Sequence, residues 1–168
     1  MFDTYYSFKY IMCEYPKGEP YEKLHRLTFR GFNRQRYMVL VEEYNPDIFA
    51  LKFYLKAHSG SPGKYQLLTG FHDAPRLIRT CIEIFLYFFQ KNNEASFCFI
   101  GSNLLSEPPS ETKRYRVYSR VMQNFFSPIR FEHRFVPEKS LYLMLNKAKD
   151  MEHLAGAILQ ILDNYRFG

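Results

Sequence analysis

Lys113, Arg114, Arg116, Arg120, Arg130, His133 and Arg134 are gathered in one part of the chain, interleaved with Tyr115 and Tyr118. Guanidinium groups grip phosphate oxygens through paired N–H donors, and tyrosine rings stack on exposed bases. A histidine among them titrates near neutral pH and is suited to proton transfer. Metal-independent cleavage of RNA needs little more: an acid or base, cations around a pentacovalent phosphate, and a surface that holds the backbone. The same residues are also ordinary on the outer face of a basic helix. The primary expectation is therefore a non-enzymatic interaction module whose Arg-rich helix binds an acidic partner, either nucleic acid or protein. A small toxin-like ribonuclease using Arg114, Arg116 and His133 is the catalytic alternative.

Other chemistry finds less support. The histidines His25, His58, His72, His133 and His153 form no HExxH or HxH pair, and no cysteine or carboxylate joins them at ligand spacing, so neither a metal nor another cofactor is expected. His72-Asp73 is a dipeptide used by some metal phosphohydrolases, but helix capping by Asp73 explains it better. Ser102 follows Gly101 at a strand end without the G-x-S-x-G context of a nucleophile elbow. The loop His58–Lys64 lacks the GxxxxGK[ST] spacing of a phosphate-cradling loop. Cys13, Cys81 and Cys98 are odd in number, widely separated and set in apolar runs, which predicts reduced core thiols.

The elements that must position the basic group follow from periodicity. Ser110 precedes a run of good helix formers and predicts a helix over Ser110–Phe126. On its wheel Tyr115, Tyr118, Met122, Phe125 and Phe126 share one arc, and Lys113, Arg116 and Arg120 take the opposite side. Arg114 falls nearer the buried arc, where a guanidinium needs a partner. Before this helix, Ala95–Ile100 reads as an interior strand. After it, Ile129–Val136 and Ser140–Leu145 form a predicted hairpin.

Toward the N-terminus the pattern is mostly alternating. Strands are predicted over Tyr5–Met12, Leu24–Phe32, Arg36–Tyr44 and Ile48–Ala57, with Asn45-Pro46-Asp47 as a tight turn and Tyr65–Thr69 as a short further strand. Arg76–Gln90, opened by Asp73 and Pro75, is a helix apolar on almost every side and so covered on more than one face. The last helix, Asp150–Tyr165, carries a stripe including Leu154, Ile158 and Ile161. That stripe suits docking on the sheet or, as a further alternative, a homodimer.

Composition sets the outer limits. A chain of 168 residues is one domain by default, divided into a β-meander over 1–70 and a helix-rich part over 71–168. About 70% of its unfolded surface can be buried at this size. Seventeen Phe and fourteen Tyr supply a core, and an aromatic content of 18% argues against disorder. The net charge is +6, and between Ser110 and Arg134 six cations face only Glu111 and Glu132, so much of the excess is local. No basic and hydrophobic leader opens the sequence, and the longest apolar run, Ile82–Phe89, is interrupted by Glu83 and far short of the ~20 residues of a membrane span. A soluble, cytoplasmic protein without membrane attachment is expected.

The strand ending in Gly101-Ser102, followed by a loop and then Arg114-x-Arg116-Val117-Tyr118, resembles a pattern found in uncharacterised small α+β proteins of Bacteroidota-type bacteria, a domain family of unknown function. The likeness spans about Pro75 to Leu145. It implies an α+β fold, implies no activity, and singles out Arg114, Arg116 and Tyr118. The fold expected is thus α+β: an N-terminal antiparallel meander continued into a mixed sheet of about six to seven strands, with two or three helices mainly on one face. The Arg76–Gln90 helix and the last helix are expected on that face, with the basic helix at an edge.

Overall fold

Alternating apolar residues in the first half of the chain become four antiparallel strands: β1 (Phe8–Glu14), β2 (Lys23–Arg30), β3 (Arg36–Tyr44) and β4 (Ile48–Leu55). A computed structural model describes residues 3–62, 64, 73–100, 112–136 and 141–164. After the meander come α1 (Ala74–Lys91), β5 (Ser96–Ile100), α2 (Thr112–Phe125), β6 (Phe131–Val136), β7 (Leu141–Asn146) and α3 (Met151–Asn164). The strands form one seven-stranded sheet in the order β1-β2-β3-β4-β5-β7-β6. The fold is α+β, as expected. The β4–β5 contact is parallel, because α1 carries the chain back across the sheet before β5 begins. Residues Ala95 to Phe99 are buried on both sides, which is why this strand reads as an unbroken apolar run.

The period of two sorts each strand between two cores. Val39, Val41, Leu51 and Phe97 face α1, where Ile78, Ile82 and Phe85 meet them, and the end of α2 joins through Met122 and Phe126. Phe126 lies 5.4 Å from Phe97 and 6.3 Å from Phe85, ring centre to ring centre. Ala50, Cys98, Leu143 and Leu145 face the opposite way and receive Leu154 and Ile158 of α3. The helices sharing a face are therefore α1 and α2, not α1 and the last helix. An apolar stripe on α3 suits either face. The one left open takes it, because α1 and α2 have filled the other.

Several boundaries move for tertiary reasons. β1 starts at Phe8 rather than Tyr5, since the Tyr6 amide donates to Thr80 Oγ1 on α1 at 2.9 Å instead of extending the ladder. Asp73 occupies the cap position of α1 without capping it; its Oδ2 accepts from the Tyr6 hydroxyl at 2.9 Å. Asp150 does cap α3, accepting from the Glu152 amide at 3.0 Å. The predicted strand at Tyr65–Thr69, the Ser110 cap, His72 and the Gly101-Ser102 motif lie outside the described residues.

One end of the sheet is held by polar side chains. Asn146, fully buried, donates to the carbonyls of Asn93 and Ala95 and accepts from the Ala148 amide. Asp47, in the β3–β4 turn, takes Asn92 Nδ2 at 2.8 Å and Lys149 Nζ at 2.7 Å on its two oxygens. These bonds, led by that from Lys149, hold the Asp47 carboxyl below its ordinary range.

Candidate functional site

The basic residues divide once they are placed. Lys113, Arg114 and Arg116 lie in α2, and their side chains are outside the described part. Arg120, on the same helix, is exposed. Arg130 donates to the Asn93 carbonyl at 2.9 Å and stacks over the Phe89 ring at 4.6 Å, which commits it to the sheet end. Arg134 pairs with Glu132 at 2.7 Å. His133, the next residue along β6, points the other way into the α1 face. Its Nε2–H donates to the Phe126 carbonyl at 2.6 Å, and Nδ1 accepts from the Tyr142 hydroxyl at 3.0 Å. Both ring nitrogens are thus occupied, and burial lowers the pKa of the ring, partly offset by the Phe126 carbonyl. His133 satisfies a carbonyl at the end of α2. Of Arg130, His133 and Arg134 only the two arginines are exposed; His133 turns inward, because neighbouring residues of a strand face opposite ways.

Two further expectations are corrected. Of Leu154, Ile158 and Ile161, offered for a dimer contact as the alternative to docking on the sheet, the first two are buried against the sheet of their own chain, and the Ile161 side chain lies outside the described residues. Cys81 and Cys98 are core thiols, with burial raising the pKa of each, but Cys13 is half-buried on an edge strand.

That edge strand, β1, is the least ordinary surface of the molecule. Among the described residues eight large apolar side chains are exposed, and Tyr5, Tyr10, Ile11, Met12 and Tyr15 are five of them. Ile11 and Met12 are 48% and 46% exposed. Between Tyr10 and Met12 the register with β2 shifts at a bulge, which leaves Ile11 without an opposite residue. The outer side of β1 pairs with no described strand. The opposite edge, β6, carries the exposed Glu132–Arg134 pair, a charged arrangement that discourages further pairing.

Behind β1 runs a chain of hydrogen bonds absent from the sequence reading. The Tyr10 hydroxyl donates to His25 Nδ1 at 2.6 Å, His25 Nε2–H donates to Glu43 Oε1 at 3.1 Å, and Lys23 reaches Glu43 Oε2 at 3.3 Å. The order hydroxyl, imidazole, carboxylate is that of an activated nucleophile. Its electrostatics favour another role. Burial, together with the neighbouring Cys13 thiol, pushes Tyr10 up to about 12, so the phenol keeps its proton. The His25 hydrogen bond holds the Glu43 carboxyl below its usual range, against the opposing effect of burial and with help from Lys23. His25 itself is buried beside Phe88, 4.9 Å between ring centres. The chain acts as a strut that ties β1 to β2 and β3. A signal for it exists in the sequence: alternation places His25 with Leu27 and Phe29 on the inward face, where a polar ring needs partners.

A second polar group sits on the other face. Glu42 is buried, takes Lys52 Nζ at 3.3 Å and accepts from the Tyr44 hydroxyl at 3.0 Å. Burial raises its pKa, opposed by Lys52. Every charge there has a partner, as burial demands.

Among the described residues no three His, Cys, Asp or Glu side chains are grouped to hold a metal ion, and no helix is long and apolar enough to cross a membrane. Compared with protein-family models, curated proteins and solved structures, the chain matches none of them.

Proposed function

We propose that the chain is a non-enzymatic interaction module that binds an extended segment along the outer side of β1. The observation that carries this reading is the concentration of exposed apolar side chains between Tyr5 and Tyr15, on and beside a strand whose outer side pairs with no described strand. An added strand gains main-chain hydrogen bonds from such an edge and covers its apolar side chains. Scattered apolar residues would need no explanation, but a run along one edge does. The Tyr10–His25–Glu43 strut holds this edge in place and so preorganises it.

Panning the protein against a random library of extended peptides tests the reading. Selected peptides are expected to slow amide exchange over Phe8–Glu14 and to lose binding to Ile11→Lys at unchanged melting temperature. Selection of peptides that protect α2 instead, or of none, overturns it.

An acidic partner for α2 is a second reading, favoured by the exposed Arg120 and the local excess of positive charge. It requires affinity for nucleic acid that falls steeply as salt is added. Retention indifferent to salt removes it.

A further inference from the structure

Resting on the edge-strand reading, we infer that the segment β1 accepts is β1 of a second copy, paired antiparallel about a twofold axis perpendicular to the sheet. Such an axis reverses strand direction and keeps each sheet face on its own side, so residues that meet across it must come from the same face.

The faces of β1 follow from its partners on β2. Tyr10 stands opposite Leu27 and Cys13 opposite His25, both of which face α1. Lys9 stands opposite Thr28, and Glu14 opposite Leu24, on the other face. In an unbroken strand, residues of one face are an even number apart. The bulge after Tyr10 changes this, so Tyr10 and Cys13 share a face, as do Lys9 and Glu14. One twofold register satisfies both relations. It sets Lys9 against Glu14 of the second copy, Tyr10 against its Cys13, and Ile11 against its Met12. A shift by one residue would put Phe8 against Glu14, from opposite faces; a shift by two would match faces again but set Lys9 against Met12 rather than against a carboxylate.

This register is complementary in charge as well as in face. Lys9 and Glu14 meet twice, once on each side of the axis, and the exposed Ile11 and Met12 lie together at the centre. Lys9 is exposed and has no ion pair with a described residue, and Glu14 engages Arg26 through Oε1 at 2.6 Å. Pairing would also close an apolar edge that is otherwise open to uncontrolled association. The contact is a single pair of short strands, below the roughly 1,200 Å² of stable interfaces, which places it among weak, reversible ones.

Cross-linking tests the register. Lys9→Cys and Glu14→Cys are made separately, each with Cys13→Ser, and exposed to oxidised glutathione alone and as a mixture. The mixture is expected to yield a disulfide-linked dimer, and each variant alone several-fold less, because like positions lie about 16 Å apart in this register. Equal cross-linking of the variants alone, or none in the mixture, overturns the proposal. In parallel, sedimentation of the unmodified chain is expected to show a monomer–dimer equilibrium that Ile11→Lys shifts toward monomer. A chain that stays monomeric yet binds selected peptides at Phe8–Glu14 refutes the second copy and leaves the edge-strand reading intact. Failure of both refutes each.

Discussion

Tyr10 and His25 are joined side chain to side chain at 2.6 Å, immediately before the bulge interrupts the β1–β2 ladder. A hydrogen bond there holds the edge strand where its backbone pairing is weakest. Tyr10→Phe keeps the ring and removes the donor, leaving His25 Nδ1 without that partner. The expected cost is about 1–2 kcal/mol in denaturant unfolding. Amides of Met12 to Glu14 should exchange faster than in the parent chain, whereas those of β3 should not. Unchanged exchange in both would show that the bond contributes nothing to the edge.

Gly31 is required by its neighbour rather than by its own backbone. A Cβ at this position would lie 2.6 Å from Tyr37 Cε2. Tyr37 has nowhere to go, being fully buried and stacked on Phe29 at 4.9 Å. Gly31→Ala should therefore destabilise by roughly 1–3 kcal/mol through overpacking. Gly60→Ala is the control, since nothing lies within 4 Å of its added Cβ, and should stay within about 0.5 kcal/mol of the parent. Equal melting temperatures for the two variants would contradict this account.

His133 makes stability depend on pH in a defined direction. Its folded pKa lies below the ordinary value of about 6.5, so the unfolded chain binds the proton more readily. The stability it contributes is complete above about pH 6.5 and declines as pH falls toward the folded pKa. His133→Phe removes the proton acceptor along with both hydrogen bonds. The difference in unfolding free energy between parent and variant should then shrink on going from about pH 8 to about pH 5. A difference that widens on acidification would reverse the assignment of a neutral ring.

Asn146 should be among the costliest polar residues to lose. Truncation to Ala strands the buried Ala95 carbonyl and the Ala148 amide, and leaves the Asn93 carbonyl only its bond from Arg130. The expected loss is roughly 2–4 kcal/mol, with cooperative unfolding retained. Thermal melts of Asn146→Ala and of the exposed Gln123→Ala, run side by side, would check it; similar values would show that water replaces the amide.

Much of the architecture could be read from the chain alone, because alternation and helical periodicity report which side of an element avoids water. Phe49, Leu51 and Leu55 declared their face by spacing, and Met122 and Phe126 did so at the end of α2. Periodicity gives each element an apolar side but not its mate. Hence α3 came to lie opposite α1 rather than beside it, for Leu154 and Ile158 are equally suited to either surface of the sheet. Nor does spacing measure distance between segments far apart in sequence. Asp73 serves Tyr6 rather than its own helix, His133 holds the end of α2, and Arg130 and Arg134 find separate partners. The exposed edge at Ile11 and Met12 arises the same way: an apolar run signals a strand, and only strand order decides whether that strand ends in the core or at the rim.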